Sequence, residues 1–295
     1  MLYAAKDLAK KIMNKGMWRR RGLWAGLLAM PQVGLLLVLL VYPMGVLLLQ
    51  SIGTEGERSL GNYLSILRSE RYLQAFSNTA LIAITSTLLA LIICVPAAIY
   101  IERGRGHGRK VIAVLLTIPL SLPGIVVGFF IILNFGLTGV VPQAIEAVTG
   151  DRHFTFAYTF WGMLLGYLYF QIPRVVLVVR GAAAGISEDA VEVARTLGAP
   201  TWRIYSDVIL PTLRPALVSA ASLSLATAFG AYGTAATLSR GYRVVPLEIA
   251  AAFTERFRPE LAASLSLLLA VVTTTLLIGM GQLTSHSAQN SPSRS

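Results

Sequence analysis

The chain has 295 residues, 55% of them hydrophobic and only 13% charged, with a positive mean hydropathy of +0.66. Soluble globular domains carry about 25% charged residues, so the composition excludes that class and describes an integral membrane protein. The net charge is +11, yet the basic residues sit beside apolar runs, where they set orientation, and no nucleic-acid partner is expected.

In chain order, residues 1–22 form a basic tail bearing Lys6, Lys10, Lys11, Lys15, Arg19, Arg20 and Arg21. Ala5, Leu8, Ala9, Ile12 and Met13 fall at helical spacing, which suits an amphipathic helix on the inner membrane surface. A disordered tail that only fixes topology suits the same residues equally. Six apolar runs follow at 23–49, 76–101, 111–135, 156–179, 212–238 and 260–283, each close to the roughly 20 residues that cross a bilayer. No small-residue cleavage site follows the first run, which is read as a retained anchor. An all-α polytopic domain spanning 23–284 is therefore expected. The 50–75 loop, with Asn62-Tyr63-Leu64 and Tyr72-Leu73, has enough apolar character for a short surface helix.

The third run contains Pro119, Pro123, Gly124 and Gly128, so it is expected to be kinked and closely approached by a neighbour, in either a packing or a pore-lining role. Gly230, Tyr232, Gly233 and Thr234 in the fifth run read either as close packing or as a flexible lining. With Asn134, the residues Gly230, Tyr232 and Thr234 are the candidates for a translocation path. The tail from Ser285 to Ser295 is polar and is expected to be disordered.

Most of the 25 Lys and Arg residues lie in the N-terminal tail, the 102–110 loop and the 174–214 region. Positive charge beside a span resists translocation, which places both termini and the segment 187–211 in the cytoplasm. Cys94 lies inside the second span as a small hydrophobe, and as the only cysteine it forms no disulfide within the chain. His107, His153 and His286 have no ligand spacing, so no metal site is expected.

No Asp or Glu falls inside a hydrocarbon segment; the polar side chains there are Asn134 and Gln171, with Arg174 near enough to the inner boundary to snorkel. An ion-coupled secondary transporter needs buried ionisable groups or unwound polar sites at the midplane. That reading, or a channel acting without an ATPase, remains the alternative function. An intramembrane enzyme is excluded by the lack of paired acids, a His-Glu-x-x-His helix or a matched Ser/His pair. Before the sixth span, Arg240, Arg243, Arg256 and Arg258 alternate with Glu248, Glu255 and Glu260, a surface that suits an anionic solute or a docking protein.

The segment 187–211 is polar and structured. Ser187 suits an N-cap, and Glu188 and Asp189 complement the dipole of the helix that follows. Ala190, Ala194 and Leu197 fall on one face, with Glu188, Glu192 and Arg195 on another. Glu188 and Glu192 are a like-charged i,i+4 pair, costing about 0.2–0.5 kcal/mol without a nearby cation. Gly198 ends the helix in a left-handed cap, and Pro200 starts a second short helix whose Trp202, Tyr205 and Ile209 share a face and which ends at Leu210-Pro211.

Glu192, Ala194, Gly198, Leu210 and Pro211, at this spacing, resemble the cytoplasmic EAA loop of the membrane subunits of ATP-binding-cassette importers. Val193 and Val208 replace the family's usual Ala and Ile. The likeness extends through Tyr42-Pro43, Ser77-Asn78-Thr79, Pro96-Ala97-Ala98-Ile99-Tyr100 and Leu122-Pro123-Gly124. It implies a type I importer (MetI-like) permease fold with five core helices preceded by one extra span, in the branch that includes polyamine, ferric-iron, phosphonate and sulfate permeases. It further implies an inner-membrane transport subunit that is not an enzyme and holds no cofactor, with ATP and Mg bound by partner ATPases. Glu188, Glu192, Ala194, Gly198, Pro200, Thr201, Trp202, Tyr205, Leu210 and Pro211 would form the ATPase-coupling surface. The implied partners are two ATPase subunits, a second permease subunit, identical or homologous, an extracytoplasmic solute-binding protein and membrane lipid.

Overall fold

A computed structural model describes residues 30–53, 60–104, 108–116, 118–150 and 156–289. The N-terminal tail expected at 1–22 lies outside the described residues. Six apolar helical stretches are long enough to cross a membrane: Met30–Ser51, Glu70–Arg103, Gly124–Thr149, Phe160–Ala183, Thr201–Phe229 and Pro259–Gln282. No strand occurs among the described residues. The helices are α1 (Met30–Ser51), α2 (Gly61–Arg68), α3 (Glu70–Arg103), α4 (Gly108–Leu115), α5 (Gly124–Phe135), α6 (Val140–Thr149) and α7 (Phe160–Ala183). They continue with α8 (Glu188–Thr196), α9 (Thr201–Arg203), α10 (Leu210–Phe229), α11 (Gly233–Leu238), α12 (Val245–Thr254) and α13 (Pro259–Gln289).

The centre of the bundle is α7 packed between α3 and α10. On α3 the buried residues Ala75, Thr79, Ile82, Ala83, Ser86, Ala90, Cys94 and Ala98 recur three and four apart, forming one stripe of mostly small side chains. Small residues let helix backbones approach closely, which is the main source of helix association where lipid is as apolar as protein. Val175, Val176, Val179 and Ala183 of α7 and Leu213, Ala220 and Ala228 of α10 complete this core. Gln171 of α7 is buried and donates Nε2 to Ser86 Oγ of α3 at 2.8 Å. Where the two helices end nearest the 187–211 segment, Arg180 pairs with Glu102 at 2.9 Å.

A second cluster caps the opposite end, where Ile66 of α2, Ala252 of α12 and Leu261, Ala262 and Leu265 of α13 pack together. Glu248 of α12, with its side chain 5% exposed, receives Arg71 and Arg256, each at 3.0 Å. Two of the four arginines noted in this region, Arg243 and Arg256, thus belong to its internal fastening: Arg256 neutralises Glu248, and the Arg243 carbonyl accepts from Asn78 Nδ2 at 2.9 Å. Burial pushes the Tyr242 phenol above its ordinary pKa, so it stays protonated.

α1 stands apart from this core. Its apolar side chains from Leu35 to Val41 are exposed, and among the described residues its hydrogen bonds to other elements run through Ser51. Tyr63 donates its hydroxyl to Ser51 Oγ at 2.8 Å, and Ser264 donates to the Ser51 carbonyl at 3.0 Å.

Two expected spans prove discontinuous. The third is broken by its prolines into α4, a 3-10 turn at Ile118–Ser121 and α5, which Pro123 caps in an extended conformation. A residue preceding proline is disfavoured in the helical region, and Leu122 has that position. The fifth stops at Phe229 and resumes at Gly233. Residues 230–232 leave backbone groups without helical partners, and the buried Tyr167 of α7 donates to the Ala231 carbonyl there at 3.2 Å. A broken helix inside a membrane protein is tolerated where neighbours satisfy such groups. α13 continues to Gln289, which corrects the disorder expected from Ser285; residues 290–295 lie outside the described residues.

The neighbour expected against Gly124 and Gly128 is α11. A Cβ on Gly124 would lie 3.1 Å from the Thr234 nitrogen, and one on Gly128 would fall on the Thr237 hydroxyl. Overpacking a tight contact costs about 1–3 kcal/mol. Gly128→Ala is therefore expected to lower the thermal midpoint of the purified protein more than Gly124→Ala, and adding Thr237→Gly should recover most of the loss. An equal effect of the two alanines in a detergent melt would contradict this packing.

Candidate functional site

The segment 187–211 folds back as a hairpin at the end of the bundle where α3 and α7 finish. Ser187 caps α8 as expected, its Oγ accepting from the Ala190 amide at 3.4 Å. α8 ends on the expected left-handed glycine, since Gly198 has φ of +75°. The corner closes through Gly198 N–H to the Arg195 carbonyl at 2.9 Å and Ala199 N–H to the Ala194 carbonyl at 3.1 Å. Pro200 then caps α9, and Arg203 N–H donates to its carbonyl at 2.9 Å.

The second arm differs from the short helix expected to end at Leu210-Pro211. It runs unbroken from Thr201 into α10 through a π-helical turn at Ile204–Ile209, where Leu210 N–H donates to the Tyr205 carbonyl five residues back. Pro211 explains the widening. In an α-helix its ring would clash with the carbonyl four residues earlier, and it has no N–H to donate. A turn with i→i+5 bonds makes room for the ring without stopping the helix. The same turn corrects the expected face: Ile204 and Ile209, five apart, are both buried, whereas Trp202 and Tyr205 are exposed.

α8 is also rotated relative to expectation. Val191 is its buried residue and Ala194 is half-buried, whereas Leu197 is 81% exposed. Val191, Ile204 and Ile209 thus anchor the hairpin on the bundle, leaving Val193, Leu197 and Trp202 presented outward. Exposed apolar side chains clustered among charges mark an interaction surface. Arg203 lies 5.3 Å from the centre of the Trp202 ring, within cation–π distance.

Between the hairpin and the end of α3 lies a cleft of about 510 Å³, lined in part by Tyr100, Arg103, Glu188, Glu192, Arg195 and Thr201. The structure therefore brings Glu188, Glu192, Thr201 and Tyr205 to one place. Gly198 and Pro200 form the corner. Leu210 and Pro211 belong to the start of α10. Tyr100 and Arg103 were not singled out from sequence; the available signals were the Pro96–Tyr100 likeness and the basic loop at 102–110. Among the described residues Glu188 and Glu192 make no ion pair, so Arg195 does not neutralise them, and Arg103 Nη1 is buried without a hydrogen-bond partner. No cluster able to hold a metal occurs among the described residues.

The path candidates separate. Gly230 and Tyr232 lie exposed in the break between α10 and α11. Thr234 is buried, its hydroxyl directed at the Gly124 carbonyl at 3.4 Å. Asn134 donates Nδ2 to the Phe130 carbonyl of its own helix at 2.8 Å.

This architecture is that of a type I importer permease. Residues 94–284 match the family model described as "Binding-protein-dependent transport system inner membrane component", and the chain belongs to that family. It is a multi-pass inner-membrane transport subunit of the ATP-binding-cassette class and not an enzyme. It is 33% identical over 215 residues to the molybdenum transport system permease protein ModB of Mycobacterium tuberculosis, covering 70% of this chain and 79% of that one. It is 26% identical over 196 residues to the sulfate transport system permease protein CysT of Escherichia coli, covering 66% and 68%. Among solved structures, a chain of a bacterial alginate transporter superposes with a TM-score of 0.78 at 19% identity over 92% of this chain and 96% of its own. A chain of the MetNI methionine transporter superposes at 0.59, with 16% identity over 74% and 99%. At these identities the structures attest the fold.

Gly198 has open space around it, so its requirement is conformational. A β-branched residue in the left-handed region costs about 1–2 kcal/mol, whereas Asn tolerates it. Gly198→Val is expected to speed tryptic cleavage at Arg195 and Arg203, and Gly198→Asn to stay near the parent rate. Equal cleavage of all three proteins would show that the corner does not depend on the glycine.

Proposed function

We propose that the chain is a permease subunit of an importer for a small tetrahedral oxyanion of the molybdate or sulfate class, driven by ATP hydrolysis in partner subunits. The substrate class rests on the named relatives, which carry molybdenum and sulfate, and it narrows the wider range suggested by the loop motif. The coupling role rests on one observation above the others: a cornered hairpin, anchored by Val191, Ile204 and Ile209, presents Val193, Leu197 and Trp202 outward beside a cleft lined by Glu188 and Glu192, neither of which makes an ion pair among the described residues.

In this reading the hairpin end is cytoplasmic, as are both termini. Two ATPase subunits, which bind ATP and Mg, receive the hairpins of two permease subunits. Glu192 makes the polar docking contact and the exposed apolar residues fill a groove. Movement of the hairpin passes into α10 without a hinge, because the π-turn keeps the helix continuous. From α10 it reaches the break at residues 230–232, where Gly230 and Tyr232 line the path, and then α11, packed backbone to backbone on α5. An external solute-binding protein delivers the anion at the opposite end.

Uptake of labelled molybdate and sulfate by cells expressing the full system tests this directly. Glu192→Lys is expected to abolish uptake and ATPase co-purification while membrane insertion stays normal. Losing a charge-assisted contact alone costs about 1.5–3 kcal/mol, so Glu192→Ala should weaken association roughly tenfold or more. Parental uptake in both variants would sink the coupling role. Flux driven by an ion gradient in liposomes holding this chain alone would favour the secondary transporter.

A further inference from the structure

We propose that Arg174 is a substrate-contact residue in the inner half of the translocation path, where its guanidinium binds the passing oxyanion; the assignment rests on the oxyanion reading above. Arg174 lies six residues before Arg180 on α7, about 9 Å deeper along the axis at 1.5 Å per residue. The two arginines differ in their partners. Arg180 is paired with Glu102 at the hairpin end. Arg174 forms no ion pair with any described residue, and its Nη1 is buried without a hydrogen-bond partner.

Its position on the helix is equally specific. Phe170, Arg174, Leu177 and Gly181 are spaced four, three and four residues apart along one exposed or half-exposed edge of α7, whose buried residues pack chiefly on α3 and α10. Nη1 of this guanidinium is enclosed by the chain at the edge of the bundle. A lone cation facing hydrocarbon costs at least about 2.5–3.5 kcal/mol, and such groups face a water-filled cavity or a partner instead. None of the described acidic residues serves as that partner. A divalent oxyanion that sheds water in a membrane passage needs a positive contact, and a planar guanidinium matches two of its oxygens.

Arg214, the fifth residue of α10 and near the hairpin, is exposed and has no buried unpartnered nitrogen, and it serves as the comparison. The test uses the complete importer in cells and purified with its ATPase and loaded binding protein. Arg174→Gln is expected to cut labelled oxyanion uptake about tenfold or more, the loss of one charged hydrogen-bonding contact. ATPase co-purification and stimulation by the loaded binding protein should persist. Arg174→Lys should keep more uptake than Arg174→Gln, and Arg214→Gln should keep most of it. Uptake by Arg174→Gln within about twofold of the parent overturns the assignment on that scale of contact energies. So does an equal fall in Arg214→Gln, or a parallel loss of uptake and ATPase assembly in both Arg174 variants, which would make the residue structural. A wild-type importer that carries neither oxyanion overturns the substrate reading, and this assignment with it.

Discussion

Within a bilayer, apolar side chains gain nothing by leaving lipid for protein, so a bundle coheres only where backbones come close and buried polar groups find each other. The seam of α7 against α3 and α10 meets both conditions. Alanines bring the helices together, and Gln171 bonds to Ser86 across the seam. The remaining elements depend on this seam. It carries the Glu102–Arg180 pair at one end, and near the other Tyr167 of α7 supports the interruption of the fifth span. Gly166 of the same helix leaves room for Thr234 and Leu238 of α11 and Ile131 of α5, so α7 also sets the position of the α5–α11 contact.

The two ends of the protein are fastened by different physics. At the hairpin end, three buried aliphatic side chains hold a polar arm whose outer surface is left free. At the opposite end, one buried carboxylate gathers two arginines, while Asn78 and Thr79 bond the backbone of Arg243 and Val245. Hydrogen bonds to ionised groups are stronger and more directional than apolar contacts, so the opposite end is fixed in geometry, whereas the hairpin leaves Val193, Leu197 and Trp202 exposed.

Much of this was legible in the residues. Six apolar runs gave the class and the number of spans, Ser187 and Gly198 gave the limits of α8, and Gly124 and Gly128 gave a close neighbour. The misreadings share a cause. Leu210-Pro211 was taken to delimit the second arm from α10, but proline interrupts a helix only if the backbone cannot widen around it. Trp202, Tyr205 and Ile209 were assigned to one face by α-helical spacing, and that spacing fails across the π-turn at Ile204–Ile209. The partners of α11 and the tether of α1 at Ser51 depend on contacts between residues far apart in sequence, which periodicity does not report.

The π-turn at Ile204–Ile209 has a further consequence for how the hairpin is aimed. A turn of this kind holds one residue more than the α-helix around it. Successive residues of an α-helix are separated by about 100°. Removing one residue from this turn would bring the Pro211 ring back against the carbonyl four residues earlier and swing everything before it by about that angle. Trp202 and the whole of α8 would then point elsewhere with no contact residue altered. The bearing of the hairpin is thus written in a count of residues rather than in their chemistry.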